Sequence, residues 1–87
     1  MPYVYILRCA DGSLYVGLAN DLESRVSKHN DGSACAFTSR RRPVTLVYSE
    51  ALTAPVAALK RERQIKRWRR AKKEALIAGD LALLKRL

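Results

Sequence analysis

Tyr3-Val4-Tyr5-Ile6-Leu7, then Asp11-Gly12, then Leu14-Tyr15-Val16-Gly17-Leu18 decide the fold of this chain. The two flanking runs are short and rich in β-branched and aromatic residues, and the Asp-Gly pair between them is turn punctuation, so the stretch reads as a β-hairpin. Side chains alternate between the faces of a strand, so the loop length fixes which residues meet. A two-residue turn at Asp11-Gly12 opposes Tyr5 to Leu18 and sends Tyr5 and Tyr15 to opposite faces. A three-residue loop, Ala10-Asp11-Gly12, opposes Tyr5 to Gly17 and puts both phenols on one face. The second is expected, with Gly12 left-handed in a bulge. Gly17 then leaves room beside Tyr5 for water or phosphate.

Outward from the hairpin, Asn20 or Asp21 caps a helix that carries Leu22, Arg25, Val26 and His29 and ends at Asn30-Asp31-Gly32, where Gly32 suits a left-handed cap. Ser33–Pro43 reads as a basic loop, and Val44–Ser49 as a third strand. Thr53 caps a second helix, with Pro55 tolerated in its first turn, that runs to about Trp68. Ala71–Ala78 is a further helical stretch. Gly79-Asp80 breaks it, and Leu81–Leu87 forms a last short turn of helix. The order β-β-α-β-α-α implies an α+β domain, a small antiparallel three-stranded sheet flanked by helices. It is expected to be one domain over residues 1–87, with its core at about 3–78. Helices should cover the sheet on at least one side, with tyrosines lining a partly open face.

A chain of 87 residues buries only about 60–65% of its unfolded surface, so its core must be economical. The hydrophobic share of 48% suffices for a compact globule and argues against disorder. No apolar run approaches the ~20 residues of a membrane span, and Met1-Pro2-Tyr3-Val4 lacks the basic-then-apolar order of a signal peptide. Cys9 and Cys35 make neither a disulfide framework nor a metal spacing; free buried thiols in a reducing, cytoplasmic setting are expected. The net charge is +9 and it is clustered. Arg40, Arg41 and Arg42 form one run; a second extends from Lys60 to Lys73, interrupted by a single acid, Glu62. A small domain this basic meets a polyanion, and nucleic acid is the expected partner, with Arg40, Arg41, Arg42, Lys66, Arg69 and Arg70 as phosphate contacts. Phe37, Tyr48 and Trp68 lie among these cations, which suits stacking on bases, although Trp68 also suits closing the core at the end of its helix.

Taken alone, Tyr5 and Tyr15 are ordinary strand tyrosines. Arg25 and His29, four apart, share one helix face, and His29 is the only histidine, which excludes a His-rich metal site. Glu62 is oddly placed. At about 100° per residue, Ala58, Leu59 and Ile65 lie within roughly 60° of it, so the carboxylate sits in the apolar stripe. Such a charge is costly unless paired or bound to a metal. A salt bridge to Arg25 or Lys66 and a metal or catalytic role both remain open. No Walker A loop, Rossmann fingerprint, Ser-His-Asp spacing or zinc pattern is present.

Read in order, these features resemble the GIY-YIG nuclease domain. Tyr3-Val4-Tyr5 stands at the family's first motif, Tyr15-Val16-Gly17 at its second, Asn20–Arg25 at the helix carrying its arginine, with His29 one turn later, and Glu62 at its metal-binding glutamate. The match runs from about Tyr3 to Ile77 and is nearest to the stand-alone, single-domain group related to the Slx1 nuclease module. Tyr3 replaces the first glycine, Leu18 stands where many members place a polar or basic residue, and Glu74 stands where some carry an asparagine. The resemblance implies metal-dependent endonuclease chemistry: hydrolysis of phosphodiester bonds in nucleic acid, DNA above RNA, using one Mg²⁺ or Mn²⁺ held by Glu62. Tyr5 is implied as general base, made phenolate by nearby cations, with His29 as a second candidate base or phosphate ligand. Arg25 would neutralise transition-state charge, and Tyr15 would orient water or phosphate. The alternative is a basic DNA- or RNA-binding module that does not cut. A chain this short has no separate targeting domain, so specificity is low or comes from a protein partner.

Overall fold

The computed structural model describes all residues, 1–87. Its elements in chain order are β1 (Tyr3–Arg8), β2 (Leu14–Ala19), α1 (Leu22–Asp31), α2 (Ala36–Ser39), β3 (Thr45–Ala51), α3 (Pro55–Lys66), α4 (Arg70–Ala78) and α5 (Leu81–Arg86). This is the expected α+β order with one short helix added, α2; α5 is the last turn of helix expected over Leu81–Leu87. The antiparallel sheet runs β2-β1-β3, so the first strand of the chain is the central one.

The hairpin has the three-residue loop. Cys9 N–H donates to Ser13 O at 2.9 Å, Gly12 N–H donates to Cys9 O at 2.9 Å, and Gly12 adopts φ of 87°. Asp11 rigidifies the loop by accepting from Ser13 N–H at 3.0 Å. Tyr5 therefore opposes Gly17, and Leu7 opposes Tyr15. On the other side β1 pairs with β3, and a register shift between Ile6 and Leu7 leaves Val47 as the extra residue of a bulge.

β1 is buried on both faces, from Val4 to Leu7. Val4 and Ile6 point into a core completed by Val16, Ala58, Ile65 and Leu76, so α3 and α4 cover that face. Full burial of each large aliphatic side chain there contributes about 1.5–3 kcal/mol. Tyr5, Leu7 and Cys9 point the other way and pack with Ala19, Val44, Leu22 and Val26 under α1. Helices cover both sides, and of the tyrosines expected on a partly open face Tyr5 is 1% exposed while Tyr15 stays half-buried.

The caps explain the helix ends. Asp21, not Asn20, caps α1 and accepts from Ser24 N–H at 3.0 Å, and Gly32 closes it at φ of 87°. The capping position of α3 is Ala54, not Thr53, and it makes no side-chain bond; Pro55 at the first turn supplies the start. The segment read as a loop, Ser33–Pro43, contains α2. Leu59, placed by periodicity in the apolar stripe of α3, is 40% exposed, so the buried stripe is Ala58 and Ile65 and Glu62 stands on its flank. Glu74 clasps α4 to the end of β1, accepting from Arg8 at 2.7 and 2.8 Å and from Arg70 at 3.2 Å. Those bonds hold its carboxyl down at about 2. No helix is long and apolar enough to cross a membrane.

Candidate active site

The two tyrosines are brought to one face, as the hairpin register requires. Their ring centroids are 6.3 Å apart. His29, in the last turn of α1, comes down onto the same spot, with its ring centroid 5.9 Å from that of Tyr5 and 5.0 Å from that of Tyr15. Tyr5 Oη lies 2.8 Å from His29 Nε2. His29 Nδ1 lies 2.7 Å from Thr38 Oγ1. Thr38 is fully buried and its hydroxyl points back to the Cys35 carbonyl at 3.5 Å. The direction of the Thr38 hydroxyl therefore selects the tautomer. If the Thr38 hydroxyl donates to Cys35 O, it accepts from His29 Nδ1–H, which leaves Nε2 as acceptor for the Tyr5 phenol.

Charge and burial set the protonation states. Burial, helped by the neighbouring Tyr15 and opposed by Arg25, pushes the Tyr5 phenol up to about 12. In the chain alone burial outweighs Arg25 at this phenol. Burial, with Arg25 adding in the same direction, lowers the His29 imidazole below its ordinary value. A neutral imidazole therefore faces a neutral phenol at pH 7, with the phenol as donor in this tautomer. Tyr15, half-buried, is raised chiefly by burial, then by Cys35 and by the Glu62 carboxylate, and is opposed by Arg25. Glu62 and Arg25 thus act on the same phenol from α3 and α1.

Gly17 does not leave open space beside Tyr5. A Cβ there would lie 2.5 Å from Tyr5 Oη and 2.6 Å from its Cζ, so the phenol itself lies over the glycine. Room exists farther along β2, where a cavity of about 230 Å³ opens between the starts of α1 and α3, lined by Leu18, Asn20, Arg25, Pro55 and Ala58. Arg25 is exposed and enters no ion pair. The Glu62 side chain, 13% exposed, pairs with Lys66 at 3.4 Å, one of the two partners expected for it.

No three His, Cys, Asp or Glu side chains converge anywhere in the chain, so no all-protein metal cage exists. Glu62 is a single, largely buried carboxylate whose only ion-pair partner, Lys66, is half-exposed and free to swing away. That donor set fits a cation that keeps most of its water shell, as Mg²⁺ does.

The expected phosphate contacts fare unequally. Arg41 is tied to Asp11 at 3.1 Å and to the Phe37 carbonyl at 2.8 Å, with its guanidinium 3.9 Å over the Phe37 ring. Arg42 donates to Ser39 O at 2.9 Å. Arg70 donates to Gly12 O at 2.6 Å and to Glu74. Arg40 and Arg69 are exposed and enter no ion pair. Thr38 escaped sequence reasoning because a lone threonine in a basic loop carries no periodicity. Cys35 and Phe37 join the site for the same reason: α2 packs its residues against Tyr15, with Phe37 at 6.0 Å. Cys35 is accordingly half-buried rather than buried, and both thiols are free.

Residues 1–75 match the GIY-YIG catalytic domain. A UPF0213 protein of Staphylococcus saprophyticus is 51% identical over 76 residues, covering 87% of this chain and 93% of that protein. A UPF0213 protein of Staphylococcus aureus N315 is 52% identical over 75 residues, covering 86% and 92%. The solution NMR structure of a UPF0213 protein from Bacillus halodurans superposes with a TM-score of 0.58 at 39% identity, over 90% of this chain and 84% of that one.

Proposed function

The chain belongs to the GIY-YIG family, and from that premise we propose that it is a divalent-cation-dependent endonuclease that hydrolyses phosphodiester bonds in DNA. The observation that carries the reading is the buried Tyr5–His29 hydrogen bond, bordered by an unpaired Arg25 and by Glu62. As water attacks phosphorus, the Tyr5 oxygen takes the proton of the water and passes its own phenolic proton to His29 Nε2. The new P–O bond forms as the bond to the leaving oxygen breaks, and that oxygen takes a proton from solvent. Tyr5 and His29 thereby share the base role that sequence left divided between them. Arg25 neutralises charge on the non-bridging oxygens, and Tyr15 positions the phosphate. Glu62 would hold Mg²⁺ or Mn²⁺, which supplies Lewis-acid polarisation of the phosphoryl group.

The relatives matched are little longer than the matched region, which supports a place in the stand-alone, single-domain group. Exposed Arg40, Arg42 and Arg69 are the phosphate contacts with no competing ion pair, and Arg42 is held only by backbone carbonyls. A cytoplasmic setting, consistent with two free thiols, and a protein partner that supplies specificity belong to the same proposal.

The burial of Tyr5 favours one second reading, a non-cleaving nucleic-acid-binding module. One experiment separates the two: supercoiled DNA incubated with and without Mn²⁺, with Glu62→Gln as control. Nicking that needs both the cation and Glu62 supports the nuclease. Salt-sensitive binding without nicking under every condition establishes the binder.

A further inference from the structure

Between Arg63 and Lys73 the chain carries no acid, and most of its cations there have no anionic partner. Lys60, Arg63, Arg67, Arg69, Lys72 and Lys73 enter no ion pair, whereas Arg61, Lys66 and Arg70 do. At about 100° per residue, Lys60, Arg63 and Arg67 lie about 100–160° around α3 from Glu62. They form the solvent face of the helix, turned away from the cleft of Tyr15 and Arg25.

Two grooves meet on this side. One, of about 400 Å³, is lined by Lys60, Arg63, Gln64, Arg67 and Trp68. The other, of about 330 Å³, runs past Arg67, Trp68, Arg69 and Lys72 around the turn into α4. Neither contains Tyr5, Tyr15, Arg25, His29 or Glu62, and Arg69, in the second, is the one phosphate contact named above that this surface shares. Trp68 is the shared floor. Its half-buried indole has the Lys72 ammonium 4.5 Å and the Arg61 guanidinium 5.2 Å from its centroid. Arg61 is itself fixed by Glu50 at 3.1 Å, so the floor is rigid.

We propose that this α3–α4 elbow is a second nucleic-acid contact surface, which grips the sugar–phosphate backbone of duplex DNA flanking the cut. It rests on the nucleic-acid reading above but not on cleavage. The spacing supports it. From Lys60 to Arg67 the helix rises about 10 Å, at about 1.5 Å per residue. One strand of duplex carries a phosphate about every 3.4 Å, so three cations face about three phosphates. A membrane surface fits less well, because the apolar side of α3 is committed to the core through Ala58 and Ile65 and is not available for insertion.

The chain carries its own probe, since Trp68 is its only tryptophan. A short duplex is titrated into the full chain in EDTA, with anisotropy of the labelled duplex reporting binding and iodide quenching reporting access to Trp68. Bound duplex should reduce iodide quenching of Trp68 at least twofold. Lys60→Gln/Arg63→Gln/Arg67→Gln should lower the slope of log K against log salt by about 2–3. Duplex that binds without protecting Trp68, with the same slope for the triple variant, overturns the elbow alone. No binding even at low salt overturns the nucleic-acid reading with it. Protection of Trp68 by phosphatidylserine vesicles and not by duplex assigns the surface to a membrane instead. The Trp68 measurement uses the unaltered protein and does not depend on how any variant folds.

Discussion

Tyr5 Oη and His29 Nε2 lie 2.8 Å apart, both residues almost wholly withdrawn from solvent. Little water competes for that hydrogen bond in the free chain, and phosphate-bound water need reach only the Tyr5 oxygen to engage it. The phenol donates and the imidazole accepts, and the proton has only a short way to travel.

His29 gives a pH signature. Burial lowers its folded pKa below the ordinary value near 6.5, so the unfolded chain binds the proton more readily. Stability is then complete above pH ~6.5 and declines as pH falls below it toward the folded pKa. Cleavage should fall on the same acidic side, because protonated Nε2 accepts nothing. His29→Gln should flatten the acid limb of the melting-temperature profile and lower kcat by about 100-fold or more. An unchanged acid limb in the variant would show that His29 does not titrate in this range.

Thr38→Val removes the hydroxyl that receives His29 Nδ1–H and leaves that buried donor unpaired. The expected cost is about 1–3 kcal/mol of stability. Imidazole ¹⁵N shifts should show the loss of the Nδ1–H tautomer, with a fall in kcat at unchanged KM. Thr38→Ser should restore both tautomer and rate. If Thr38→Val keeps wild-type shifts, the tautomer is held by something else.

Gly17→Ala places a methyl group where the Tyr5 phenol lies, 2.5 Å from its oxygen. The strain should cost about 1–3 kcal/mol. It should also lengthen the Tyr5–His29 hydrogen bond, so cleavage is lost beyond what partial unfolding explains. Wild-type cleavage by a folded Gly17→Ala protein would contradict this geometry.

Arg25→Ala should barely change stability, within about 0.5 kcal/mol, since Arg25 is exposed and makes no ion pair. Cleavage should drop by about two orders of magnitude or more, as expected for one lost transition-state charge. Thermal melts and nicking rates on the same preparation decide it; a large drop in melting temperature with normal specific activity would make Arg25 a structural residue.

What the sequence disclosed, and what it withheld, divides along physical lines. The parity of the Ala10-Asp11-Gly12 loop was enough to bring Tyr5 and Tyr15 to one face, because strand alternation is strict. Asp21 and Gly32 mark the ends of α1 because caps are local. Glu62 stands out because a lone acid in a basic helix is a compositional anomaly. The enclosure of Tyr5 was hidden, since it depends on α1 and α2 folding over residues far away in the chain. A helix of four residues, Ala36–Ser39, is too short to display a period. Arg41 looked like a free cation because its partner Asp11 lies 30 residues away in the chain, and Arg42 because the short helix that presents the Ser39 carbonyl is not visible in the sequence. Thr38 left no sequence trace at all: its importance comes wholly from the histidine it meets.

The strand order β2-β1-β3 also has a consequence for synthesis. The first strand leaves the ribosome early and zips to β2 at once, but its second edge waits for β3. In that interval β1 exposes a line of unpaired backbone groups between two apolar faces, a template for any neighbouring nascent chain. At about 5–20 residues per second the wait is on the order of seconds. Slowing translation between Leu22 and Val44 should therefore raise the aggregated fraction, and speeding it should lower it, with no change in the folded protein itself.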